Sequence, residues 1–176
     1  MAGSKFQPSA KQVVLSQVAE RKGLKGDEPA RLDSFLTRVG FVESKGDPSA
    51  IQSGGGPGRG KHQHELGEST DALQQRLANY EDTYGFVPLT QADRKALEAG
   101  DMSKVSEDGQ DALTLVGWVM KTPGDEVGEL ARGNYKQGQF WLDYHWAGAE
   151  KDAPKKKEQW MREMADYKRI HGGTNE

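Results

Sequence analysis

Residues 107–121 form the most apolar segment of the chain, with Leu113, Leu115, Val116, Trp118, Val119 and Met120 crowded into one short stretch. A helix that is apolar around most of its circumference has to be covered on most sides. The segment therefore predicts a central buried helix, for which the remaining elements supply the wrapping. Those elements carry the matching pattern. Residues 10–22 place Val13, Val14, Val18 and Ala19 at helical spacing before Gly23. A second helix is predicted from near Asp27, with Pro29 suited to its first turn and Leu32, Phe35, Leu36, Val39 and Val42 along one face. Ser69 or Thr70 can cap a third helix that ends near Gly85. Thr90 opens a short one that Gly100 closes, and Pro123-Gly124 ends the central one. Two short helices, around Glu126–Ala131 and Gln139–Trp146, precede a last one from about Pro154 to Ile170.

The expected fold class is mainly α. No strand pattern is strong, and residues 46–67 read as either a small β-hairpin or an irregular Gly-rich loop. With no internal repeat and no clear linker, the chain divides into an N-terminal arm (1–9), one domain (10–150), and a C-terminal amphipathic helix and tail (151–176). The last of these is expected to dock on the domain through Trp160, Met164 and Tyr167. At 176 residues a single domain can bury about two-thirds of its unfolded-chain surface. A net charge of −3 gives no general attraction to nucleic acid. The cluster Lys155, Lys156 and Lys157 reads as a solvated helix face. Absence of cysteine rules out disulfides and thiolate-bound metals. The first residues lack the apolar core of a signal peptide, and no run approaches the ~20 apolar residues of a membrane helix. The expectation is a product made in the cytoplasm, with no membrane insertion, that reaches any substrate beyond a membrane by another route.

The second helix carries the residue of greatest chemical interest. At about 100° per residue, Glu43 falls about 20° from Leu32, on the apolar stripe and not on the wet face. There a carboxylate loses solvent, and the helix C-terminus also disfavours negative charge, so both effects raise its pKa. A carboxyl that stays protonated near neutrality is what a general acid requires.

The following residues run Glu43-Ser44-Lys45-Gly46-Asp47-Pro48-Ser49-Ala50, then Gly54-Gly55-Gly56-Pro57-Gly58-Arg59-Gly60-Lys61-His62-Gln63. This resembles the lytic transglycosylases and related members of the lysozyme superfamily. These have a catalytic Glu followed by Ser at a helix end, then an Asn/Asp-Pro-x-Ala turn and a Gly-rich segment ending in Gly-Leu-Met-Gln or Gly-Leu-Phe-Gln. The likeness covers about 25 of the 176 residues. It implies a lysozyme-like domain with its cleft between the Glu43 helix and the loop ending at Gln63. It also implies cleavage of the MurNAc–GlcNAc β-1,4 bond of peptidoglycan, with Glu43 as catalytic acid and then base. Ser44, Gly60 and Gln63 become candidate substrate-binding residues: a hydroxyl beside the carboxyl, a close backbone approach, and an amide for acetamido and hydroxyl groups. Lys61-His62 departs from the family's two apolar residues, which makes this loop more polar or differently seated. The family's Ala-Tyr-Asn-Ala-Gly segment has its nearest counterpart in Ala131-Arg132-Gly133-Asn134-Tyr135, with Asn and Tyr reversed, and Tyr135 is its candidate substrate contact.

Other constellations point less far. Gly60-Lys61-His62 lacks the Lys-Ser/Thr ending of a phosphate loop. In His62-Gln63-His64-Glu65 two imidazoles would face one side of an extended segment, but no third strong ligand stands at helical spacing, so no metal and no cofactor are expected. Asp47, Glu65 and Glu68 are the nearest carboxylates for a hydrolase that needs a base or nucleophile. The run from Phe140 to Trp146 is dense in aromatics, for core packing or for a sugar subsite. The expected partners are peptidoglycan glycan strands and, for a phage particle, other virion or tail proteins. A phage lysin would be virion-borne or released through a holin as an endolysin, acting in the periplasm or cell wall. The alternatives are a lysozyme-type hydrolase with a second carboxylate and a catalytically weak structural or interaction protein of a phage particle with the same fold.

Overall fold

A computed structural model describes residues 7–55, 58–65, 68–146 and 150–172. The described chain is mainly helical, in the order α1 (Ala10–Lys22), α2 (Glu28–Ser44), β1 (Gly58–Arg59), β2 (His64–Glu65), α3 (Glu68–Tyr84), α4 (Gln91–Glu98), α5 (Glu107–Lys121), α6 (Glu126–Ala131), α7 (Gln137–Phe140) and α8 (Ala153–His171). The expected helices are present, with ends displaced by a residue or a few. The hairpin falls inside the Gly-rich stretch, where β1 and β2 pair antiparallel (Gly58 with Glu65, Arg59 with His64).

Helix α5 is the axis of the molecule, with every residue from Gly109 to Val119 buried. Helices α1 and α3 pack directly on it, and α2 crosses between it and α8. The elements are pinned by caps as well as by apolar burial. Asp108, in the first turn of α5, accepts from the backbone N–H groups of Ala10 and Lys11, so one helix caps the start of another. Ser9 and Gln12 complete a capping box on the same end of α1. Thr90 and Asp93 do the same for α4, and Asp93 also accepts from Ser106 at the cap of α5. Around Phe35 of α2 the rings of Trp118, Phe140 and Trp160 meet it at 5.1, 5.6 and 5.9 Å between centroids. This aromatic cluster joins α2, α5, α7 and α8, and such pairs contribute about 0.5–1.5 kcal/mol each beyond their area burial.

Helix α8 lies against α2. Trp160 is buried, Tyr167 meets Phe41 edge to face, and Lys45 pairs with Glu163. Lys45 itself ends α2 in the left-handed region (φ 59°), and its ammonium lies over the Phe41 ring. The chain turns here on two left-handed residues, Lys45 and then Gly46 at φ 84°.

Candidate functional site

Helix α2 delivers Glu43 into the protein. Leu32, Leu36 and Val39 precede it on the same face, and Val39, Gly40, Phe41 and Val42 are all buried, so the last turn of α2 is enclosed on most sides. The Glu43 side chain keeps 17% of its surface exposed and opens into a cavity of about 480 Å3. Its Oε1 accepts a hydrogen bond from Trp141 Nε1 at 2.7 Å, and His145 Nε2 stands 3.7 Å from the same oxygen. The chain reaches this point through a π-helical turn, Trp141–His145, closed by the bond from Trp146 N to Trp141 O. Wide turns of this kind recur at functional sites. This one aims Trp141 and His145 at one carboxyl oxygen while leaving Phe140 in the core.

Burial raises the Glu43 pKa from its ordinary value. The Trp141 hydrogen bond and the charge of Lys156 pull the other way, but burial is the larger effect. When the carboxyl carries its proton, Oε1 is held by an N–H donor, so the proton belongs on Oε2. Among the described residues Oε2 has no hydrogen-bond partner. A neutral acid with its acidic oxygen free is arranged to protonate an acceptor in the cavity.

The three histidines of the cavity wall are each neutral, and their hydrogen bonds fix the tautomer. Their rings stand in a triangle, 6.4, 6.3 and 6.2 Å between centroids. Burial lowers the pKa of all three. His145 accepts from Trp118 Nε1 at its Nδ1 and donates from Nε2 to the carbonyl of His62. His64 donates from Nε2 to Thr114 Oγ1, whose own hydroxyl donates to Gln110 O. His62 donates from Nε2 to Asp111 Oδ1. Among the described residues no group of three or more His, Asp or Glu side chains is placed to hold a metal ion.

Lys61 and His62, which stand where the resembled family has apolar residues, are nonetheless both buried. Lys61 Nζ donates to Glu107 and Asp111 of α5 at 2.8 and 3.2 Å. Burial lowers the Lys61 pKa, but these carboxylates outweigh it and leave it raised. Burial likewise pushes Asp111 up, and the His62 N–H together with Lys61 holds it below its ordinary value. The loop is seated by buried charge where the family uses apolar packing. Gly40 makes room for this: a Cβ there would meet Lys61 Cε at 2.7 Å and His62 Cε1 at 3.3 Å.

The remaining sequence candidates divide. Gln63 lines the cavity, its amide donating to Gly60 O while its backbone takes φ 51°. Gly60 is not in the cavity wall. It sits at φ 74° with Gln110 Oε1 2.4 Å from where its Cβ would be, so its role is to shape the loop. Ser44 does not reach Glu43: its hydroxyl donates to Gly40 O and Lys61 O, tying helix to loop. Tyr135 does not reach it either. Its hydroxyl donates to Asp143 Oδ2, and its ring lines a second cavity between α2 and α8. The tyrosine lines that other cavity, and Trp141 contacts Glu43 instead. Asp47 folds into a turn with Ser49 at the surface. The side chains of Glu65 and Glu68 lie outside the described residues.

Sequence reasoning missed several members of this site. Trp141 and His145 are spaced four apart, one helical turn, and that spacing was the available signal. Asp111 is an acid inside the most apolar helix, facing a lysine–histidine pair in a buried loop. Arg76 of α3, Lys121 at the end of α5 and Lys156 of α8 also line the cavity, so one of the three lysines read as a solvated face turns inward. No local pattern marks Arg76 or Lys121. Comparison of the chain with family models, curated proteins and solved structures found no match.

Proposed function

We propose that this chain is a peptidoglycan-cleaving enzyme of lytic transglycosylase type with a lysozyme-like domain, and that Glu43 acts first as acid and then as base. The observation that carries the proposal is a buried Glu43, its pKa raised by that burial, whose Oε1 is fixed by Trp141 and which lines a polar cavity in which, among the described residues, no second carboxylate stands. A hydrolase of the two-carboxylate kind needs a partner about 5–9.5 Å away. A single carboxyl suffices when the substrate supplies the rest. Glu43 gives its proton to the glycosidic oxygen as the C1–O bond breaks, and the N-acetyl oxygen of MurNAc attacks C1. The 6-hydroxyl then displaces that oxygen and returns its proton to Glu43, which leaves a 1,6-anhydro ring with no water consumed. Trp141 stabilises the carboxylate between the two steps. The side-chain amides of Gln63 and Gln52 stand along the hairpin wall of the cavity.

The chain fits a phage lysin that is virion-borne or released through a holin. The competing reading is a catalytically weak structural protein of a phage particle, favoured by the absence of Tyr135 from the cavity. A zymogram on purified peptidoglycan, with wild type and Glu43→Gln side by side, separates them. The enzyme reading expects clearing by the wild type alone. Equal clearing by both removes Glu43 from the mechanism, and clearing by neither favours the structural role. Anhydro ends in the product mass spectrum identify the transglycosylase, and reducing ends a hydrolase.

A further inference from the structure

Seven cations of the described chain illustrate how this protein treats positive charge. Lys11, Lys22, Arg31, Lys45, Lys61, Arg94 and Arg132 each hold a carboxylate within ion-pair distance. Arg76 and Lys121 are placed otherwise. They come from α3 and α5, line the same cavity as Glu43, and meet no carboxylate among the described residues. Lys156 adds a third positive charge to that cavity, its ammonium 5.8 Å from the centre of the Trp146 ring and donating to Gln159. The other titratable groups of the described wall are the neutral imidazoles of His62, His64 and His145 and Glu43, whose pKa burial raises. The cavity thus gathers three cationic side chains in a described wall whose one carboxyl is Glu43. Two cations drawn into one cavity without an anion is an unfavourable arrangement, and folding leaves it in place. Lys121 keeps an exposed residue surface, and desolvation of its ammonium first and the Arg76 charge second lower its pKa to about 8. A bound anion would reverse both effects, since it would screen Arg76 and favour the ammonium.

We infer that Arg76 and Lys121 form an anion subsite of the Glu43 cavity, which holds a carboxylate of the glycan while the neutral glycosidic oxygen lies at Glu43. The cavity volume of about 480 Å3 is that of a small-ligand site, large enough for both ends of such a contact. The guanidinium offers a planar two-point donor and the ammonium a point charge, a pair suited to a carboxylate. The choice of glycan rests on the proposed function; the anion site rests on the cavity alone. Carboxylates of peptidoglycan, on the lactyl group or on the attached peptide, match it chemically, and a neutral chitin-type chain does not.

The test uses the full chain with 13C-labelled lysine, in which the Lys121 side chain is titrated by NMR at constant ionic strength with chloride, acetate or inorganic phosphate. Acetate is expected to move the Lys121 midpoint from about 8 toward its ordinary 10.5, chloride is not, and Arg76→Gln is expected to abolish the acetate effect. In a second arm, Glu43→Gln protein binds glycan strands with free carboxylates about 10-fold more tightly than the same strands with those groups converted to methylamides. Arg76→Gln and Lys121→Met, each checked for an unchanged circular dichroism spectrum, reduce that preference to about 2-fold or less. A Lys121 midpoint unmoved by acetate, or moved by phosphate alone, overturns the subsite. Acetate binding that depends on Arg76, with glycan binding indifferent to masking, overturns the assignment to the glycan and leaves the anion site standing. That pattern is distinct from failure of the enzyme reading, which the zymogram of Glu43→Gln reports.

Discussion

Two regions of this small protein take charge out of water, and they do it in opposite ways. Beneath the hairpin, Asp111 is surrounded by Lys61, His62 and, at 3.7 Å, Lys11, so each charge of the network meets one of opposite sign or a hydrogen bond. In the neighbouring cavity Glu43 has one firm donor, while Arg76 and Lys121 meet no carboxylate among the described residues. The first region resists the loss of any partner, because each partner left behind would be a buried, unpaired charge. The second tolerates loss, because its groups are already unsatisfied. Charge paired within the fold is structural, and charge left unpaired around a cavity is available to a ligand.

Mutation can break or sharpen this contrast. The largest effect is expected for Glu43→Gln, which lowers glycan-cleaving turnover by about 10^2- to 10^4-fold while leaving the fold intact. Its stability effect has a definite sign. The folded-state pKa of Glu43 lies above its ordinary 4.5, so the carboxyl's contribution is present at low pH and is lost as pH rises through the folded value. The variant should therefore gain stability relative to wild type as pH rises, measured by urea unfolding at several pH values. A variant that loses stability relative to wild type as pH rises would contradict a raised Glu43 pKa. Asp111→Ala behaves oppositely and comes next. It is expected to cost about 3–5 kcal/mol in urea unfolding by stranding Lys61 and His62. A cost under about 1 kcal/mol would mean that the network does not seat the loop.

Gly40→Ala follows, at about 1–3 kcal/mol, because the new methyl meets the buried stem of Lys61. A crystal structure of that variant should show the hairpin displaced from α2. The smallest effect is expected for Trp141→Phe. Removing the N–H that favours the carboxylate raises the Glu43 pKa further, so the alkaline limb of the rate profile moves up by about one pH unit. A limb that stays in place or moves down would show that Trp141 packs against Glu43 without tuning it. A separate pH effect applies to the whole fold: His62, His64 and His145 are held below their ordinary 6.5, so stability present above pH 6.5 declines as the pH falls beneath it.

Much of the helical framework was legible in the sequence because it is local. Apolar spacing marked α1, α2 and α5, while Thr90, Pro29 and Pro123 marked starts and stops that depend on neighbouring backbone alone. The inward direction of Glu43 belongs to the same class, since eleven residues after Leu32 a helix has returned to nearly the same face. Candidates drawn from motif likeness fared differently. Gln63 reached the cavity, whereas Ser44, Gly60 and Tyr135 serve the loop or another face, because a short motif specifies order along the chain and not which partner each side chain finds.

By itself, then, the sequence determined that the protein is mainly helical, that α5 is its buried axis, and that a glutamate ends α2 on an apolar face. Those properties follow from periodicity over a few turns. Only the tertiary structure decided what that glutamate meets. Trp141 lies 98 residues away along the chain and arrives through a π-helical turn. The pairing of Lys61 with Asp111 and the isolation of Arg76 and Lys121 are likewise set by distant segments packing together. Electrostatic energy depends on distance and on excluded water, and neither is a property of neighbouring positions in the chain.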